Sequence, residues 1–151
     1  MNVSIIYGTL SGSTMTAADT VKDVLIAAGH SVEASPVDQV TKDSLQKSDV
    51  IIFGSPSWED NGKDGQPLPE VTAFLNTLTN VDLQNKKVAV FGLGDTMYPH
   101  FCGAVDVMTE KLKDLGVTLV TDPIRIDRYY SLPDNEQKMK DWAIQLSKVF
   151  T

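Results

Sequence analysis

The sequence predicts an α/β fold, a three-layer α/β/α sandwich around a five-stranded parallel sheet in the order 2-1-3-4-5. Two observations carry that prediction. Short β-rich runs alternate strictly with segments of helical period, as a parallel sheet covered on both faces requires. Three of the runs are continuously apolar and two alternate, which separates central strands from edge strands.

The first run, Val3 to Tyr7, is nearly unbroken in its apolar character and reads as a central strand. Ala17, Ala18, Val21, Val24, Leu25 and Ala28 then recur at helical spacing until Gly29 stops the helix. Ser31 to Ala34 alternates and reads as an edge strand; Val37 to Lys47 is too short for more than a brief helix. Val50 to Gly54 is a second central strand, and Leu68 to Leu78 a helix. Val88 to Gly92 is the third central strand. The helix after it carries Ala104, Val105, Met108, Leu112 and Leu115 and closes at Gly116. Val117 to Val120 alternates and is read as the last edge strand, with an extension toward Ile126. Met139, Trp142, Ala143, Leu146, Val149 and Phe150 mark the final helix. In that order the loops after strands one, three and four meet at the carboxyl edge of the sheet, where open α/β folds bind ligands.

The composition narrows the function. A chain of 151 residues with 42% hydrophobic content suits one domain, expected over residues 1–151. Thirteen Lys and Arg against twenty Asp and Glu leave a formal charge of −7, which repels nucleic acid and anionic membrane and attracts basic protein partners. One cysteine, Cys102, makes no internal disulfide, and no stretch reads as a signal peptide or as the ~20 apolar residues of a membrane span. A cytoplasmic location is expected.

Three loops carry the chemistry. Gly8 to Met15 runs from a buried strand into an amphipathic helix, with four hydroxyls at Thr9, Ser11, Ser13 and Thr14 and no positive charge. Backbone N–H groups at a helix N-terminus, with short hydroxyl side chains, suit a phosphate that needs no lysine. The plainer alternative is a turn in which Ser13 or Thr14 caps the helix. Neither a dinucleotide fingerprint nor a Walker loop is present. The second loop, Gly54 to Gly62, places Trp58 at the sheet edge among turn-forming residues, to be covered by a flat aromatic ligand, by the core or by a protein partner. The third, Leu93 to Gly103, offers Tyr98 and Phe101 as a second aromatic wall. His100 reads as an exposed imidazole without a carboxylate partner, Cys102 as a buried inert thiol, and Met97 as filler. Together the loops describe a site for a planar ring with a phosphorylated tail.

At these residues the chain resembles the flavodoxins, specifically the short-chain kind, over essentially its whole length. The family's T-x-[S/T]-G-x-T pattern is matched by Thr9, Ser11, Gly12 and Thr14, with Ser13 in the variable place. Ser57-Trp58 matches the second loop, and Gly94-Asp95 with Tyr98 and Phe101-Cys102-Gly103 the third. The 2-1-3-4-5 order is the family's own. The last strand lacks the insertion of about twenty residues found in long-chain members.

The resemblance implies one FMN bound non-covalently and a low-potential electron shuttle between partner redox enzymes, acting as a monomer without substrate turnover or catalytic side chain. It implies a site built from Thr9, Leu10, Ser11, Gly12, Ser13 and Thr14; from Ser55, Pro56, Ser57, Trp58, Glu59 and Asp60; and from Leu93, Gly94, Asp95, Tyr98, His100, Phe101 and Cys102. Trp58 would cover the inner ring face and Tyr98 the outer, with backbone groups around Asp95, His100 and Cys102 on the pyrimidine edge. Two positions depart from the pattern: Pro56 stands where some members offer a hydroxyl, and Glu59 where many have glycine. The acids Glu59, Asp60, Asp64 and Asp95 would lower the potential of the second reduction and orient basic partners. Two rival readings share the topology, a flavin-dependent quinone reductase and a phosphorylatable receiver domain. The receiver needs an Asp where Gly54 stands, and an acidic pair where Thr9-Leu10 stands.

Overall fold

The computed structural model describes residues 1–150. β1 (Asn2–Tyr7) is an interior strand of the sheet, and Val3, Ile5, Ile6 and Tyr7 are all buried, on both of its faces. It pairs in parallel with β2 (Ser31–Pro36) on one side and β3 (Val50–Pro56) on the other. Between β2 and β3 the chain makes only two short 3₁₀ turns, Val37–Gln39 and Lys42–Lys47. A small antiparallel hairpin follows, β4 (Trp58–Asp60) with β5 (Lys63–Gln66). The main sheet then continues with β6 (Lys87–Gly94) and β7 (Ile124–Asp127), in the order β2-β1-β3-β6-β7. With the hairpin set aside, this is the expected 2-1-3-4-5 arrangement, all parallel.

The sheet divides the interior into two cores. On one face α1 (Ser13–Ala27) and α4 (Asn135–Val149) pack Ala17, Val21, Leu25, Met139, Trp142 and Leu146 against Ile5, Ile52, Phe91 and Ile126. On the other, α2 (Pro69–Thr77) and α3 (Gly103–Asp114) pack Val71, Leu75, Met108 and Leu112 against Ile6, Ile51, Phe53 and Val90. Gly54 serves the first of these: it pairs in register with Phe91, and a β-carbon there would stand 2.1 Å from the Phe91 ring.

The helix ends obey local rules. Gly29 stops α1 at φ +94°, and its N–H returns to the Ile26 carbonyl at 2.9 Å. At the far end of the molecule, Lys87 Nζ donates to the carbonyls of Val149 and Phe150, both at 3.0 Å, placing a cation on the C-terminus of α4. Nearby, His30 lies with Nδ1 3.3 Å from the terminal amine and Nε2 3.2 Å from Ser147 Oγ, edge-on to Phe150.

One strand differs from expectation. Val117–Val120 alternates in sequence yet joins the sheet only through the Val120 N–H, which donates to Val88 O at 3.0 Å. The strand that pairs with β6 is Ile124–Asp127, after Pro123. Alternation reports one exposed and one covered side of the chain, which an extended connector has as readily as a paired strand.

Candidate functional site

The first loop meets α1 through Gly12, which caps the helix at φ +90° with no side-chain capping bond. A left-handed turn here favours glycine. The Gly12 N–H is held by Thr9 Oγ1 at 3.0 Å, which shapes the turn. Ser13 and Thr14 lie inside the first turn of α1, so the plainer reading, in which one of them caps it, does not hold. The first-turn amides are left facing outward, with the positive end of the helix dipole behind them. Thr14 is 1% exposed, yet no protein group bonds its hydroxyl among the described residues; it lines an open pocket.

That pocket, of about 330 Å³, gathers much of the expected site in one place. Thr9, Leu10, Ser11, Ser13 and Thr14 line it from the first loop, Pro56 and Ser57 from the end of β3, and Leu93, Gly94, Asp95 and Tyr98 from the end of β6. Tyr98 is 62% exposed, an aromatic face standing in water at the pocket's mouth. A larger groove of about 540 Å³ runs between α2 and α3 past Pro67, Leu75 and Val107, but it holds none of the three loops.

The remaining expected residues are not part of the pocket's lining. Ser55 is fully buried and structural: its hydroxyl donates to Pro56 O at 2.8 Å and accepts from Leu68 N at 3.1 Å. Trp58, Glu59 and Asp60 form β4. Trp58 and Phe101 both lean on the α2–α3 core, and the Trp58 indole N–H is buried without a partner among the described residues. The core therefore covers part of Trp58, as one of the sequence alternatives had it. Cys102 is fully buried, and burial pushes its thiol pKa up to about 12, so it is no nucleophile. Its backbone caps α3 in a left-handed conformation at φ +50°.

The pyrimidine-edge expectation divides. The N–H groups of Asp95 and Cys102 have no partner among the described residues. His100 is otherwise engaged: its N–H donates to Asp64 Oδ2 at 3.2 Å and its carbonyl accepts from Gly103 N at 2.9 Å. Asp64 also stands 3.4 Å from His100 Nδ1, so the imidazole has the carboxylate partner that the sequence did not reveal. Met97 is 82% exposed, which corrects its reading as filler.

Two features of the site escaped the sequence reading. One is the hairpin that carries Trp58. Its turn residues Asn61 and Gly62 both have positive φ, the signature of a tight hairpin turn, and the Asn-Gly pair was the available signal. The ladder slips between Trp58 and Asp60, so that Asp64 and Gly65 of β5 face Glu59 alone. Gly65 sits against Gly103, where a β-carbon would stand 2.6 Å from the Gly65 carbonyl oxygen. The other is the segment after β7, Arg128 to Ser131, which lines the same pocket. Asp127, just before it, accepts from Thr96 N at 3.0 Å; that bond and the Arg128 guanidinium hold its carboxyl below the ordinary range.

Comparison with known proteins agrees with this geometry. The flavodoxin family model matches residues 5–142. A flavodoxin of Maridesulfovibrio salexigens is 36% identical over 124 residues, covering 82% of this chain and 84% of its own. The structure of oxidised flavodoxin 2 from Bacillus cereus superposes with a TM-score of 0.87 at 34% identity, over 98% of this chain and 99% of that one. A Fusobacterium nucleatum flavodoxin solved with flavin mononucleotide shares the fold, with a TM-score of 0.80 at 17% identity over 97% of both chains. With its sheet order, its hydroxyl-lined first loop and these relatives in agreement, the chain belongs to the flavodoxin family.

Proposed function

We propose that this chain, as a single domain over residues 1–151, holds one FMN in the pocket between the ends of β1, β3 and β6 and carries electrons at low potential between redox proteins. The observation that carries this is the convergence on one pocket of open amides at Ser13 and Thr14, an unbonded hydroxyl on the buried residue Thr14 and the exposed aromatic Tyr98. The amides and hydroxyls suit the phosphate, and Tyr98 suits the outer ring face. Trp58, seated on the core behind, would close the inner face with its indole N–H free to bond. The open N–H groups of Asp95 and Cys102 would meet the pyrimidine edge. The bound flavin supplies the redox chemistry; the protein holds it, screens it from water and sets the charge around it.

Leu10, Met97 and Tyr98 are exposed apolar side chains around the pocket, with Glu59, Asp60 and Asp95 among them. Such a rim suits brief docking of partners with basic faces, where charge sets approach and a small apolar patch sets contact. No helix among the described residues is long and apolar enough to cross a membrane. A monomer in the cytoplasm fits this role.

The test is the protein as purified. A yellow preparation that releases FMN on acid treatment, and that passes electrons from a reductase to an acceptor protein, is the expected result. A colourless protein that fails to quench added FMN fluorescence would defeat the proposal.

A further inference from the structure

The pocket has a fourth wall, the segment Arg128 to Ser131, and its backbone is held with unusual firmness. Arg128 has φ +46°, a left-handed conformation that a side-chain-bearing residue keeps only where its surroundings over-determine it. The surroundings do so from two sides. The Arg128 N–H donates to Gly94 O at 2.8 Å, tying it to the third loop. Asn135, fully buried at the start of α4, donates its amide to the carbonyls of Asp127, Arg128 and Tyr129 at 2.8, 3.1 and 3.2 Å. The far end is tied to the first loop: the Tyr130 hydroxyl lies 3.1 Å from Thr16 Oγ1, which itself donates to Gly12 O at 3.0 Å. Contacts thus run without a break from this segment to the turn that presents the open amides.

Within that frame the Arg128 guanidinium uses Nε and one terminal nitrogen on Asp127, at 3.2 to 3.3 Å, and leaves Nη1 without a partner among the described residues. We propose that Arg128 binds the phosphate of the bound cofactor through this free edge, so that the anion is met by a side-chain cation as well as by backbone amides. This rests on the proposed FMN site. The first loop carries no basic residue, and Arg128 is the basic side chain lining the pocket. A guanidinium is never deprotonated at working pH and donates in a fixed planar fork suited to phosphate oxygens.

The test compares FMN with riboflavin, which lacks the phosphate, by fluorescence quenching on the apoprotein at low and moderate salt. Arg128→Gln retains hydrogen-bonding capacity on a side chain of reduced length and removes the charge. Its FMN dissociation constant should rise about tenfold, as expected for loss of a hydrogen bond to a charged group. Riboflavin binding should not change, and the salt dependence of FMN binding should flatten because the screened charge is gone. Arg128→Lys should recover part of the FMN affinity. An unchanged FMN constant and salt slope, or an equal loss for both flavins, would overturn the proposal. If the wild-type protein binds neither flavin, or binds both alike, it is the FMN reading itself that fails.

Discussion

The side-chain amide of Asn135 donates to the carbonyl of Asp127 at 2.8 Å and so fastens the first turn of α4 to the end of β7. Asn135 is fully buried and also reaches the next two carbonyls. Asn135→Ala removes the donor to the Asp127 and Tyr129 carbonyls, while Arg128 O keeps its bonds from Ser131 N and Leu132 N. We expect a loss of about 2 to 3 kcal/mol in urea unfolding. An unchanged midpoint would show that water replaces the amide.

Thr14 is buried, lines the pocket and has no protein hydrogen bond to its hydroxyl among the described residues. Thr14→Val keeps the shape and removes the hydroxyl, and FMN binding should weaken by roughly 1 to 3 kcal/mol. Riboflavin serves as the control. Equal FMN constants for the two proteins would make Thr14 a packing residue of α1.

Trp58 and Phe101 share a core contact and differ in what else they offer. The buried, unpartnered indole N–H belongs to Trp58 alone. Trp58→Ala should therefore lose more FMN affinity than Phe101→Ala, measured by titration of each apoprotein. The reverse order would assign Trp58 to the core only.

What the sequence revealed and what it hid divide along physical lines. The central strands were legible because burial on both faces leaves an unbroken apolar run, as in Val50-Ile51-Ile52-Phe53. The place of the first loop was legible because a buried strand runs there directly into a helical period that begins at Ser13. The β4–β5 hairpin was hidden: Trp58-Glu59-Asp60 and Lys63-Asp64-Gly65-Gln66 bury too little to show a period, and only Asn61-Gly62 marks it. The Arg128–Ser131 wall was hidden because its place depends on Asn135, Gly94 and Thr16, each distant in sequence or unremarkable in type.

Glu59 stands where many members of the family carry glycine, and the resemblance implies that the peptide joining it to Trp58 would flip when the flavin takes up one electron and one proton. A positive φ there would cost a side-chain-bearing residue about 1 to 2 kcal/mol. Glu59→Gly should therefore widen the separation between the two reduction potentials by making the first step easier. Glu59→Gln keeps the bulk and drops the charge. Potentiometric titration of the three proteins separates the effects: equal values for Gln and Gly would leave only the charge.

His30 gives the pH dependence. Burial, and then the adjacent terminal amine, lower its pKa from the ordinary 6.5. The unfolded chain therefore takes up the proton first as the pH falls, and stability declines below about pH 6.5, levelling off once the folded protein is protonated too. His30→Gln should flatten that part of the stability profile between about pH 7 and 5. An identical profile in urea unfolding would place the effect elsewhere.

The seat of Gly65 on Gly103 bears on how this site can be engineered. Neither position has room for a single methyl group, because each faces the other's backbone or the base of a neighbouring side chain. The hairpin and the start of α3 are therefore one exchangeable cassette. A graft that brings a relative's second loop without its third sets two foreign surfaces together at the one point where neither can yield.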